Sequence, residues 1–513
     1  MLHRRAGSPA TAVIRLLVVL FSISLIAAAC GGDDDDSGGS NSGGGANTTA
    51  ADDSKPVPGG EVTYGLEAET NGGYCLQEAQ LAISGIQVTR TIYDTLAAPD
   101  EDGKIQPFLA QSIEPNADYT EWTITLRDGV KFSDGTPVDA QIVADNLNAY
   151  AGKYEKRKPL LFIFVFQGVD NIAAKDAKTV VVKTAKPWVA FPWFLWSSAR
   201  LGIMGRSQLD ASATDCANKL VGTGPFVLDH WTVNQELVAT KNPSYWMKDS
   251  DGNQLPYLDK ITYKPIAEVA QRVNALESGQ IDLMHTSDTE QLAKRLRPMS
   301  KKGDIGLLES DKFGETNYSM LNSAKPPFDN IHARKAVAYA TNNELLIKVR
   351  GGGIGQPASG PFAEGVEGYL KDTGYPAFDV DKAKEEAAAY KKDTGKDLEF
   401  TYSYVTSESG ALTAQELQTE MSDAGIKMTP APAGDQATTI NKALAHDFQA
   451  VGWRNHPGAD PDTQYVWWQS KSPVNFGNIK DPEMDNLLDT GRSETDPAKR
   501  KQIYEDLNKL FAS

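Results

Sequence analysis

The chain carries none of the usual reactive constellations. It holds no Gly-x-Ser-x-Gly nucleophile elbow, no Gly-x-x-x-x-Gly-Lys phosphate cradle, no His-Glu-x-x-His zinc helix and no Cys-x-x-Cys pair. The histidines, at positions 3, 230, 285, 332, 446 and 456, share no metal-ligand spacing. No catalytic residue, metal or cofactor is therefore expected. What stands out instead is aromatic. Trp453, Tyr465, Trp467 and Trp468 flank a polar loop containing Arg454, Asn455, His456, Asp460 and Asp462. Apolar rings beside a few polar groups make a typical small-ligand pocket. Trp453 is the expected solute contact, with Trp467 and Trp468 placed between core and surface. A second cluster, Trp188, Phe191, Trp193, Phe194 and Trp196, is expected to pack lobes together. In a chain this acidic, the Asp460–Asp462 pair reads first as a surface feature.

The elements that must position these residues are legible in part. Leu398, Phe400, Tyr402 and Tyr404 alternate as a strand, Ala411–Ala424 reads as a helix with Leu412, Leu417 and Met421 on one face, and Gly425 stops it. A short strand over Ile426–Met428, a helix over Thr438–His446 and a strand over Phe448–Trp453 follow. Strands alternating with helices predict a parallel sheet, whose ligands bind beyond the carboxyl ends of the strands. Tyr404 and Trp453 lie at such ends. Earlier, Glu61–Leu66 reads as the first strand and opens onto a polar loop that begins at Glu67, another candidate contact. Trp122, Ile124 and Leu126 alternate in a strand, Asp128-Gly129 predicts a hairpin turn into Val130 and Phe132, and Thr136 is the expected cap of a helix running to Tyr150.

At 513 residues the chain exceeds what one core organises, so two or three lobes are expected. A net charge of −17 and a pI near 4.9 exclude a nucleic-acid partner, which would need clustered Lys and Arg. The amino-terminal end reads as an export signal: His3, Arg4 and Arg5 precede an almost uninterrupted apolar run from Leu16 to Ala29. About 14 helical residues span roughly 21 Å, short of a bilayer core of about 30 Å. Leu25-Ile26-Ala27-Ala28-Ala29-Cys30 resembles a bacterial lipobox, which implies cleavage before Cys30 and a lipid on its sulfur; an ordinary signal with an incidental cysteine is the alternative. Residues 31 to about 57 are Gly, Ser, Asn, Thr and Asp, the composition of a flexible tether. Cys75 and Cys216 then remain in an oxidising compartment, where one disulfide is expected and two separate buried thiols are the alternative.

Several motifs in one order carry a family resemblance. They are Trp122-Thr-Ile-Thr-Leu-Arg-Asp-Gly-Val-Lys-Phe-Ser-Asp-Gly-Thr-Pro137, Gly222-Thr-Gly-Pro-Phe226, Lys241-Asn-Pro-Ser-Tyr-Trp246, Leu255-Pro-Tyr-Leu-Asp259, Ala275-Leu-Glu-Ser-Gly-Gln-Ile-Asp282 and Arg334-Lys-Ala-Val-Ala-Tyr-Ala340. From about residue 60 the chain resembles the extracytoplasmic solute-binding proteins of ABC importers, family 5, the peptide- and nickel-binding type. The resemblance implies an α/β, periplasmic-binding-protein-like fold of type II, a large three-subdomain clamshell with mixed sheets flanked by helices. It divides the chain into a signal (1–29), a lipid-anchored tether (30–57), lobe I (58–85 and 215–315) with an extra subdomain (86–214), and lobe II (316–513).

Function follows as an expectation. The chain is expected to be a monomer that captures a peptide or similar small solute on the extracytoplasmic face of a bacterial membrane. It would then deliver the solute to a permease and its ATPase. The expected contacts are Glu67, Tyr404, Trp453, Arg454, Asn455, His456 and Asp460. Peptide binders of the family often place an acidic residue three positions after the Gly-Trp pair; after Gly452-Trp453 that position is His456, and Asp460 and Asp462 are the expected substitutes. The residues leave peptide, modified peptide, sugar, metal chelate and haem open, as they do a tethered hydrolase or a sensor on the same fold. The chain closes on a helix from about 497 to 511, and a segment returning to lobe I is expected to be missing, as in a fragment.

Overall fold

Alternating burial builds the sheets. In the strand Glu121–Leu126 the side chains of Trp122, Ile124 and Leu126 are buried while the residues between them are partly exposed, and Val180 and Val182 do the same in its neighbour Thr179–Thr184. The computed structural model describes residues 56–70, 72–160, 162–310, 314, 316–455 and 460–512. The expected signal, Cys30, the tether up to residue 55, and His456 lie outside these residues. Asn455 is described for its backbone only.

The strands in chain order are β1 (Glu61–Leu66), β2 (Ala97–Pro99), β3 (Ile105–Pro107), β4 (Ala110–Pro115), β5 (Glu121–Leu126), β6 (Val169–Ala174), β7 (Thr179–Thr184), β8 (Phe226–Thr232), β9 (Glu236–Lys241), β10 (Lys260–Pro265), β11 (Leu283–Met284), β12 (Thr316–Leu321), β13 (Glu399–Tyr404), β14 (Lys427–Pro432) and β15 (Ala450–Asn455). They form a mixed sheet ordered β11-β1-β10-β9-β8, a second mixed sheet ordered β12-β15-β13-β14, an antiparallel sheet ordered β4-β5-β7-β6, and the pair β2-β3. In the first, β1 runs parallel to β10 and β11. In the second, β13 runs parallel to β14 and β15, with β12 antiparallel at the edge. The helices Ile331–Ala340, Val380–Thr394 and Glu408–Asp423 bury Ala336, Tyr390, Leu417 and Met421 against Phe400, Tyr402 and Ala450 of the second sheet. Cys75 and Cys216 are joined by a disulfide.

Four local expectations are corrected. The helix at Ala140–Tyr150 is capped by Asp139, whose carboxylate accepts from Ile142 N at 2.9 Å, and not by Thr136. Thr136 instead donates through its N and Oγ1 to Asp134, closing a turn of its own. Val130 and Phe132 form no hairpin with β5, whose two edges are already filled by β4 and β7. The helix Glu408–Asp423 begins earlier than expected because Ser407 accepts from Gly410 N, and Leu412 is exposed. Five residues separate Leu412 from Leu417, a rotation of about 140° around the helix.

Candidate functional site

Carboxyl ends of parallel strands gather the polar residues. Glu67 follows directly on β1, and His285, Thr286 and Ser287 follow on β11. The helix Val269–Glu277, after β10, carries Arg272, whose Nη1 donates to the carbonyls of Ile266 and Ala267 at 2.6 and 3.0 Å. These bonds lock a buried guanidinium near Glu67, with Nη2 3.9 Å from Oε1. His285 Nδ1 lies 3.2 Å from the same oxygen. Arg454, near the end of β15 in the other sheet, reaches across: its Nη2 is 3.7 Å from Glu67 Oε2, and its Nη1 donates to Ser287 Oγ. Burial pushes the Glu67 carboxyl up, but His285, Arg454 and Arg272 outweigh it and hold the group below the usual carboxylate range.

A second polar contact joins segments that follow strands of the same two sheets. Gln80 Nε2 donates to Asn441 Oδ1 at 2.7 Å, from a loop before the helix Ile83–Ile92 to the helix Gln436–Leu444. Alongside it is a cleft of ≈ 20 Å³, lined by Glu69, Thr70, Gln80 and Ser84 on one side and Gln436 and Ile440 on the other. It has room for one or two waters.

The expected contacts divide on inspection. Glu67 and Arg454 meet. Tyr404 and Trp453 do not: β13 pairs Tyr402 with Ala450 and Ser403 with Val451, which sets Tyr404 on the face of Gly452 and Trp453 on the other. Trp453 packs edge-on against Phe476 at 5.5 Å, with Met320 and Phe448 nearby. Tyr404 joins the cluster beneath the helices. Asp460 and Asp462 are not a surface pair. Asp460 is bound by Arg500 at 2.7 Å and accepts from Asp462 N at 2.9 Å. Asp462, fully buried, takes Arg492 Nε at 2.9 Å and Trp188 Nε1 at 2.7 Å. The Arg492 guanidinium is stacked on Tyr465 and Trp188, 3.5 and 4.4 Å from the ring centroids. Both carboxylates thus anchor the carboxyl-terminal side of the loop that follows β15.

Residues 104–477 match the model of the bacterial extracellular solute-binding proteins, family 5 Middle. The chain belongs to this family. The glutathione-binding protein GsiB of Pectobacterium atrosepticum is 27% identical over 440 residues, 83% of this chain and 82% of the relative. Among solved structures, AgaA of A. tumefaciens R10 in complex with agropinic acid is 26% identical with a TM-score of 0.76, covering 88% of this chain and 90% of that one. The periplasmic binding protein DppA of Helicobacter pylori, in complex with the peptide STSA, superimposes with a TM-score of 0.78 at 23% identity, over 89% and 91%. The fold is therefore α/β, of the type II periplasmic-binding-protein kind, with mixed sheets flanked by helices.

Within this solute-binding protein the residues missed by sequence reasoning are Arg272, His285 and Ser287. β11 is two residues long, too short to show a period, so nothing marked His285 and Ser287 as strand-end residues. Arg272 sits in an ordinary helix and gains its place only from the carbonyls at the end of β10.

Proposed function

We propose that this chain captures a peptide or peptide-like small solute between its two lobes, outside the cytoplasm, and delivers it unaltered to the permease and ATPase of an ABC importer. The observation that carries this is the meeting of Glu67, at the end of β1, with Arg454, at the end of β15: opposite charges from separate lobes, converging where ligands of open α/β sheets bind. The relatives that bind glutathione and the peptide STSA support the solute class. The lobes are drawn as 58–85 with 215–315, the extra subdomain as 86–214 and the second lobe as 316–513. Cys30, preceded by small residues in an export signal, is read as the lipid-bearing residue that holds a monomer at the outer face of the cell membrane.

Native mass spectrometry of the full chain purified from its own cells tests the solute. Co-purifying peptides or amino-acid conjugates support the reading. A protein that chemically transforms what it binds overturns it. Intact-mass analysis of the membrane fraction tests the anchor: an unmodified Cys30 rejects it.

A further inference from the structure

We propose that Arg454 and Glu67 together recognise an α-amino-acid head group, an ammonium and a carboxylate carried on one carbon; the proposal rests on the solute-binding reading above. The two protein charges are 3.7 Å apart and come from opposite lobes. Their orientation is fixed from outside the pair. His285 Nδ1 and Arg272 hold Glu67 through Oε1, leaving Oε2 turned toward Arg454, and Ser287 Oγ accepts from Arg454 Nη1. The result is a short dipole of set direction across the interlobe gap.

A solute that wedges between the lobes strips water from both groups. If it brings no charge of its own, it leaves a guanidinium and a carboxylate half-desolvated and separated, which is unfavourable. An α-amino-acid head group avoids this. Its ammonium nitrogen and carboxyl carbon are about 2.5 Å apart from bond lengths alone, so both charges of the head group fall within the span of one protein ion pair. Laid antiparallel beside that pair, it places its carboxylate on the Arg454 fork and its ammonium on Glu67 Oε2. It adds no net charge to the crevice. The two termini of a linear tripeptide are several times farther apart, at roughly 3.5 Å per residue, so they cannot serve both groups at once. Beyond the head group, the polar wall of Glu69, Thr70, Gln80 and Gln436 accommodates amide groups of the remainder. The class of solute is thus an amino acid joined through its side chain to a further polar body.

An isomeric pair of probes tests this. S-methylglutathione is joined through the γ-carboxyl, so its glutamyl residue keeps ammonium and carboxylate on one carbon. Its α-linked isomer has the same atoms without that head group. By calorimetric titration of the full chain, the γ-linked probe is expected to bind at least roughly tenfold more tightly. Arg454→Gln is expected to erase that preference, weakening the γ-linked probe at least roughly tenfold and the α-linked one by less than about twofold, and Arg454→Lys to restore part of it. Equal binding of the isomers, or tighter binding of the α-linked one, overturns the head-group assignment and leaves peptide binding standing. An Arg454→Gln protein that weakens both probes equally shows a merely structural arginine and also overturns it. If neither isomer binds, the head-group proposal is overturned, while the solute-binding reading is decided separately by the co-purified solute. Should Arg454→Gln fail to fold, the isomer comparison on the unaltered chain and on Arg454→Lys decides alone.

Discussion

At the scale of single residues, burial decides what a charge is for. Asp460 and Asp462 were expected at the surface because exposed carboxylates predominate in an acidic chain, and each is instead bonded to an arginine. Asp462→Ala should leave Arg492 uncompensated among Trp188, Phe194 and Tyr465, and is expected to lower unfolding free energy by about 3–5 kcal/mol in urea titrations. A loss below about 1 kcal/mol would place the pair in the weak surface class. Glu420 is the opposite case. It is buried on the helix Glu408–Asp423; Oε2 accepts from Asn342 N at 3.2 Å, while Oε1 has no hydrogen-bond partner. Burial, with Glu416 and Asp423 adding to it against the Asn342 bond, raises its pKa from 4.5 to about 7. A folded pKa above the unfolded one means stability is fully present below 4.5 and lost as pH rises through about 7. Glu420→Gln keeps the acceptor for Asn342 N and is expected to gain on the order of 1–3 kcal/mol at pH 8 and almost nothing at pH 4. Equal effects at the two pH values would reject a titrating Glu420.

At the scale of elements, register overrules position along the strand. Tyr404 and Trp453 both lie near carboxyl ends, as their segments announced, yet pairing sends them to opposite faces. Alternation within a strand is visible in a sequence; which residue stands beside which in the next strand is not. The same pairing explains Gly452. A Cβ there would sit 2.6 Å from the hydroxyl of Tyr402, a buried neighbour on β13. Gly452→Ala is expected to destabilise by about 1–3 kcal/mol in chemical denaturation, and Tyr402→Phe in the same chain to recover at least half of that. If the phenylalanine recovers nothing, the close approach is not the reason for glycine at this position. Helix starts show a similar limit: Asp139 and Thr136 are both sound cap residues by type, and only the position of Ile142 N selects between them.

At the scale of the whole molecule, long-range ties hold the crevice-lining segments. The Cys75–Cys216 disulfide spans a sequence separation of 141, and beside it Tyr74 N donates to Ala217 O at 2.9 Å, fixing the segment that runs on from Glu67 and Glu69. Replacing both cysteines with alanine is expected to cost about 2–5 kcal/mol, read as a lower denaturant midpoint that added reductant no longer changes. An unchanged midpoint in the double variant would show that packing alone holds this segment. Trp188, packed in the core cluster with Phe191 and Phe194, is tied to Asp462 by a hydrogen bond across 274 residues of sequence.

The sequence by itself determined the family, the α/β clamshell, β1 and the main strand-helix succession after residue 398, and it singled out Glu67 and Arg454. Those features rest on local periodicity, turn chemistry and ordered motifs, all of which are properties of neighbouring residues. Only the tertiary structure decided that Glu67 and Arg454 face each other across two lobes, that His285, Arg272 and Ser287 complete their setting, and that Asp460 and Asp462 are internal anchors. Charges far apart in the chain acquire partners only when strands from different sheets end at the same place, and no spacing along the chain encodes that meeting.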